Sequence, residues 1–401
     1  MQIKPIMTKN KKKLKLGFLC FDLQPFTEEC CFRIAEALKG KIDFKAFPLY
    51  FHKNQKNSRV DYADTTKATK TFEVGGGKTT PDGLAKDLNF WKSIECVRYS
   101  DIILLYGIQG AAAIWTAIAG KLSGKVIITV THAVPVATEL KRKWWIRLLK
   151  RLVYSCCKFH ICQSTISQET LHQVYKIDKK SIFYAPFEAG ANIFDTLVQS
   201  GTSDLSKIKD KYDLNDKPVF LFVGNLLYLK GIDVLLEAVS KLDFDFKLLV
   251  IGRDSQTKAT GKNYYLDYAK KLNISSKVIF ISELEHSELI SFYKAADLFI
   301  LPTRKDCTPK VLIEAALTEN ALITTDSCGY YKDIIQEDIN GYVVKANSPE
   351  ALSEAITKLK DKRKCKQFGI KSRQIVLDCC DKEKELKGFT SAIEKAIQFK
   401  G

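Results

Sequence analysis

No two cysteines in this sequence are spaced as C-x-x-C, and its five histidines, at 52, 132, 160, 172 and 286, show no metal-ligand spacing. Zinc ribbons and thioredoxin-like redox sites therefore have no support, and no metal is expected. A P-loop is missing too. Gly77-Lys78-Thr79 has the right ending, but position 72, where such a loop needs glycine, is Phe. No fixed period points to a repeat protein. Residues 102–119 carry no charge and come near the length of a membrane span, yet Gly107, Gln109 and Gly110 interrupt them. They read as a strand, a glycine turn and an Ala-rich buried helix. Acidic residues are scarce in the first half. Residues 1–200 hold 31 basic and 17 acidic groups, net +14, against 32 and 29, net +3, in residues 201–401. The two halves are thus expected to face different partners.

What is present fits a multidomain globular chain. Its 401 residues are 46% hydrophobic and 27% charged, which excludes extensive disorder and suggests two or three domains of ~100–200 residues. Twelve cysteines include the adjacent pairs Cys30-Cys31, Cys156-Cys157 and Cys379-Cys380. They read as reduced thiols used as small apolar residues in a cytosolic protein. Lys11 to Lys15 is basic, but the apolar run behind it ends at Asp22, too short for a signal-peptide core. A cytoplasmic location is expected.

Short apolar runs alternate with helix-length segments. They lie at 16–21, 102–106, 126–130, 159–162 and 182–184, then at 219–223, 246–251, 278–281, 298–301, 322–324 and 342–344. Continuous apolar strands separated by helices imply parallel sheets covered on both faces. Two sets in series imply an α/β chain with two doubly wound domains, linked within residues 190–216. The polar, glycine-rich stretch 50–90 reads as a long loop. Ligands of such folds sit beyond the carboxyl ends of the strands.

Two stretches stand at such ends. Strand 219–223 runs into Gly224-Asn225 and then Lys230-Gly231-Ile232-Asp233, where an amphipathic helix begins. A lysine beside a helix N-terminus suits a phosphate, since backbone N–H groups and the helix dipole already favour an anion there. Strand 298–301 runs into Asp306-Cys307-Thr308-Pro309-Lys310-Val311, with Glu314 eight residues after Asp306. Thr308 is the expected N-cap and Pro309 the first helical residue. One carboxylate can face a ligand at the helix mouth while the other accepts from hydroxyls. Asp243-Phe244-Asp245 has a metal-binding D-x-D form but precedes its strand, so it reads as a polar turn.

Together these residues resemble the family-4 type of retaining glycosyltransferases (glycosyl transferases group 1), which have the GT-B fold: two Rossmann-like domains flanking a cleft. The resemblance is good across 219–344 and looser across 14–190. It implies an acceptor-side domain over residues 1–195, completed by a C-terminal helix at 385–401, and a nucleotide-sugar domain over 215–384. By resemblance, Lys230 binds the donor diphosphate, Glu314 the ribose, and Asp306 the transferred sugar. His132, behind strand 126–130, matches a histidine near that sugar. Lys230, Asp306 and His132 are therefore the expected catalytic residues. The expected donor-binding set is Gly224, Asn225, Lys230, Arg253, Thr308, Lys310, Val311 and Glu314. Asn225 stands where the family carries Arg, a charge that Arg253 could replace, and Cys307 and Pro309 stand where it carries glycines.

The implied activity is metal-independent, cofactor-free transfer from a nucleotide-sugar to a glycan or lipid-linked acceptor. The alternatives are a non-catalytic binding protein or another nucleotide-sugar enzyme, such as a phosphorylase or epimerase. Residues 141–153 add a third stretch. From Leu140 to Gln168 there are seven Lys or Arg and no acid, and Trp145, Leu148, Leu149 and Leu152 share a helical face. That pattern suits an anionic membrane surface and a peripheral inner-face location. A nucleic-acid partner is not expected, because such a binder would lack the diphosphate-sugar motifs.

Overall fold

A computed structural model describes residues 13–22, 25–50, 90–108, 110–132, 134–188, 191–200, 205–254 and 261–400. Residues 51–89 of the expected loop lie outside the described residues. The first sheet contains β1 (Leu14–Asp22), β2 (Ile42–Tyr50), β3 (Ile102–Tyr106), β4 (Val126–Thr131), β5 (Phe159–Cys162) and β6 (Ile182–Tyr184). The second contains β7 (Val219–Val223), β8 (Lys247–Ile251), β9 (Val278–Ile281), β10 (Leu298–Leu301), β11 (Ala321–Thr325) and β12 (Gly341–Val344). Strand order is β2-β1-β3-β4-β5-β6 in one and β12-β11-β10-β7-β8-β9 in the other. The pairing is parallel throughout.

The sequence reading missed β2. It pairs with β1 at the sheet edge, and Asp43, Lys45 and Pro48 break its apolar run. Proline, which cannot donate to a ladder, is tolerated at an edge. The stretch 190–216 contains the helices Ala191–Ser200 and Leu205–Lys211 rather than open chain. Ala191, Phe194, Val198 and Leu214 are buried in the core of the second sheet. Most of the cysteines are buried in the cores, as small apolar residues should be.

The halves are joined by more than chain continuity. The final helix, Lys382–Lys400, returns to the first sheet and packs on β4, β5 and β6. Its Phe389, Ala392, Ile393 and Ala396 are fully buried in that core. Glu385 on this helix accepts from Arg33 at 2.9 Å. Asp333, in the short helix Tyr331–Ile334, accepts from the Thr165 N–H at 3.0 Å, the Thr165 hydroxyl at 2.6 Å and the Tyr184 hydroxyl at 2.9 Å. A carboxylate behind the second sheet thus meets a helix start of the first.

Emptying the Phe389 site leaves a cavity that the surrounding parallel sheet cannot close. Phe389→Ala should lower unfolding stability by about 3–5 kcal/mol in a denaturant titration, with the loss largest for probes in the first domain.

Candidate functional site

The second sheet reverses its strand order between β7 and β10. Such a switch point leaves a crevice beyond the strand ends, and both informative turns open into it. After β7, Gly224 N–H donates to the Ile251 carbonyl at 3.0 Å and Leu226 N–H to the Arg253 carbonyl at 2.9 Å, which pins this turn to the one after β8. Gly252 permits that approach, since a Cβ there would stand 2.0 Å from the Gly224 carbonyl oxygen. A 3-10 turn, Tyr228–Lys230, then leads to Gly231 at φ 71°. A Cβ on Gly231 would stand 2.1 Å from the Pro302 carbonyl oxygen, so both conformation and space require glycine.

The loop after β10 grips this turn. Arg304 N–H donates to the Leu229 carbonyl at 2.8 Å, and the Thr303 hydroxyl reaches the same oxygen at 2.9 Å. The Arg304 guanidinium binds both Asp233 oxygens, at 2.8 and 2.6 Å, and the Tyr228 carbonyl at 2.6 Å. It also lies 3.9 Å from the centre of the Tyr228 ring. Sequence reasoning missed this clamp. Asp233 and Arg304 are 71 residues apart, and no local pattern links them.

The clamp places Lys230 against Asp306, and the two half-buried side chains form an ion pair. The other Asp306 oxygen accepts from the Thr308 N–H at 3.3 Å. Thr308 is not the helix cap: the helix begins at Lys310, one residue later than expected, with Pro309 at the cap position and no side-chain cap. Asp306 outcompetes the Thr308 hydroxyl by closing the preceding turn. Glu314 accepts from the Tyr293 hydroxyl at 2.9 Å. Burial, then the adjacent Glu314 carboxylate, pushes the Tyr293 phenol well up, so it remains a donor. Burial draws the Lys310 ammonium down, against the opposing pull of Glu314 and Glu188. Val311 packs against the second core. Asn225 is exposed. Arg253 is exposed and ion-paired with Glu283 at 3.2 Å.

In the first domain, His132 follows β4. Its Nδ1 is buried without a hydrogen-bond partner, and the ring meets Tyr106 edge-on at 5.1 Å. Burial lowers the imidazole pKa to about 4, so it is neutral near pH 7. It lines a pocket shared with Gly107, Glu139, Lys150, Tyr154 and Tyr175. Glu139 accepts from Lys150 at 2.7 Å, Arg142 at 2.9 Å and the Tyr175 hydroxyl at 2.5 Å. Burial alone would raise its pKa, but Lys150, Tyr175 and Arg142 together hold it below the usual value.

Lys150 belongs to the helix Trp144–Cys156. Ile146, Val153 and Tyr154 pack that helix inward, whereas Trp144 (70% exposed), Trp145 (40%), Leu148 (59%) and Leu152 (50%) look outward. Among the described residues no helix is long and apolar enough to cross a membrane, and none form a His/Cys/Asp/Glu cluster able to hold a metal ion. Asp245 pairs with Lys217 and Lys277, as a polar turn should.

The architecture is that of the two-domain GT-B class. Solved structures similar in fold include a glycosyltransferase from Rickettsia africae (TM-score 0.68, 18% identity, covering 96% of this chain and 99% of that one). HepE from Anabaena in complex with UDP is another (TM-score 0.68, 14% identity, 95% and 100%). Residues 204–375 match the family model of glycosyl transferases group 1. Curated relatives include a D-inositol 3-phosphate glycosyltransferase of Xylanimonas cellulosilytica, 25% identical over 189 residues (47% of this chain, 45% of the relative). The capsular polysaccharide biosynthesis glycosyltransferase CapM of Staphylococcus aureus is 32% identical over 162 residues (39% and 40%). These matches span less than half the length of either relative.

His132, whose Nδ1 is buried, should titrate near pH 4 by NMR, not near its ordinary 6.5, and so should the buried His160, which is also lowered to about 4. Between those values the unfolded chain binds these protons and the folded chain does not. Stability should therefore fall as the pH drops from about 6.5 toward 4. Midpoints near 6.5 for both rings would contradict their burial.

Proposed function

We propose that the protein transfers a sugar from a nucleotide-sugar to an acceptor hydroxyl with retention of configuration, without a metal ion or other cofactor. The carrying observation is the convergence of Lys230, Asp306 and their clamped turns at a switch-point crevice inside a group 1 domain. In this reading the donor diphosphate takes a share of the Lys230 charge now held by Asp306. Asp306 is released toward the sugar, and Glu314, oriented by Tyr293, accepts from the ribose. Gly224, Asn225, Thr308, Lys310 and Val311 form the surrounding walls. His132 faces the sugar from the opposite domain as a neutral hydrogen-bonding group.

The bond from the anomeric carbon to the diphosphate breaks as the bond to the acceptor oxygen forms on the same face. The acceptor's proton passes to the departing diphosphate oxygen. Negative charge grows on that diphosphate, so stabilisation by Lys230 and nearby helix N-termini is the main catalytic device. The domain pair 1–195 and 215–384, with 385–401 completing the first, divides acceptor from donor. A lipid-linked or cell-envelope glycan is the proposed acceptor, on the cytoplasmic side of a membrane. The outward Trp144, Trp145, Leu148 and Leu152, flanked by Lys141, Lys143 and Arg151, support peripheral contact.

The donor is found by titrating the protein with UDP-, GDP-, ADP- and CMP-sugars and following thermal stabilisation, ~2.7 kcal/mol at a hundred times the dissociation constant. With that donor, Lys230→Ala should lower turnover about 10²–10³-fold with the fold intact. Glu314→Gln should weaken nucleotide binding more than Asp306→Asn does. Wild-type turnover in Lys230→Ala would defeat the mechanism.

Membrane contact is tested by co-sedimentation with anionic and neutral vesicles. Binding should favour the anionic vesicles and fall as salt screens the charge. Equal binding to both would remove this helix from the account.

A further inference from the structure

We propose that the first domain positions Asp306, and that Asp333 is the residue through which it does so. Asp333 acts at a distance: it holds the chain that in turn holds Asp306. The effect on sugar transfer rests on the transferase reading above; the mechanical link does not.

The Arg304 clamp grips the start of the loop after β10. Asp306 itself is held from another side, by the chain that follows β11. Its N–H donates to the Ser327 carbonyl at 3.3 Å, and its carbonyl accepts from the Gly329 N–H at 2.7 Å, which makes a parallel bridge to Cys328. Cys328 is fully buried, and its N–H donates to the Thr325 carbonyl at 3.0 Å. The backbone of Asp306 therefore rides on residues 327–329. A shift of that segment is passed to the carboxylate paired with Lys230.

Little slack separates that segment from the first domain. Tyr330 follows Gly329 directly, and its carbonyl accepts from the Asp333 N–H at 3.0 Å and the Ile334 N–H at 3.1 Å. Tyr330 and Ile334 are buried in the second core, while Asp333 turns to the first domain. Its three donors, the Thr165 N–H, the Thr165 hydroxyl and the Tyr184 hydroxyl, all lie there. Lys332 adds its ion pair with Glu169 at 2.6 Å. Burial raises the Asp333 pKa, and Thr165 and Tyr184 pull it back in part. A desolvated carboxylate adds little net stability, but its directional bonds fix orientation. One whose donors all belong to the opposite domain is suited to setting the register between the two.

Removing Asp333 should loosen Asp306 and leave the groups that bind the nucleotide in place. With the donor found by thermal stabilisation, Asp333→Ala should lower kcat about tenfold or more, since small misplacements set up far from the reacting atoms cost that much. KM for the nucleotide-sugar should stay close to that of wild type. Asp333→Asn, whose amide oxygen still accepts from Thr165, should keep most of the turnover. In Asp306→Ala protein, adding Asp333→Ala should cost nothing further, whereas a merely adhesive contact would cost the same in either background. Should Asp333→Ala fail to fold, Thr165→Val replaces it in every measurement. That variant removes the hydroxyl donor and keeps the other two.

Amide hydrogen exchange, followed by mass spectrometry on the full chain without ligand, reads the link directly. In Asp333→Ala the segments 305–308 and 326–329 should exchange faster than in wild type, and β7 should not. Unchanged kcat, a loss that adds to that of Asp306→Ala, or unchanged exchange in those two segments overturns the positioning role. Failure of every nucleotide-sugar to bind would sink the transferase reading instead, and the exchange measurement would still decide whether Asp333 holds Asp306.

Discussion

Arg304 fixes the turn after β7 against the loop after β10. Its guanidinium bridges the loop after β10 to the first turn of the helix after β7 through two hydrogen bonds to Asp233 and one to the Tyr228 carbonyl. Charge-assisted bonds of this kind contribute ~1.5–3 kcal/mol each when partly buried. Their larger effect is geometric. Gly231 can approach the Pro302 carbonyl only because it has no Cβ, and the clamp holds it there. Lys230, one residue earlier, then meets Asp306 without having to search for it. A flexible ammonium becomes a fixed charge because the backbone under it is fixed from the neighbouring strand.

The same logic, in weaker form, organises the other wall. Glu139 holds Lys150 and Arg142 as Asp233 holds Arg304: a single acid fixes the cations around it. The two halves are then related to each other by direct side-chain contacts. Asp333 binds the start of the helix Thr165–Gln173, and Lys332 pairs with Glu169 at 2.6 Å. Both contacts are made by the short helix Tyr331–Ile334.

Much of this was legible because parallel strands buried on both faces must be apolar throughout. Runs such as Val219–Val223 have few other readings. The turns at the crevice were legible because they follow those strands directly. β2 was not, because an edge strand can carry Asp43, Lys45 and Pro48 without cost to the core. The Arg304–Asp233 clamp escaped notice because its partners are neighbours only after the sheet has formed. The helix Trp144–Cys156 shows a third limit. Its sequence displays an apolar stripe at Trp145, Leu148, Leu149 and Leu152, but periodicity cannot say which side of a helix meets the core. Packing chose Ile146, Val153 and Tyr154 instead and turned most of the stripe outward.

The returning C-terminal helix has a consequence for how the chain reaches its fold. Domains usually condense in the order in which the ribosome delivers them. Here the core around β4 and β5 lacks Phe389, Ala392, Ile393 and Ala396 until residues 382–400 have been made. The second sheet, by contrast, draws on buried residues only from 166 to 380. The half that is synthesised first must therefore wait, with an apolar face uncovered, for the half synthesised last. In synthesis the second domain is the first that can finish its core, and the first closes only as the final helix docks.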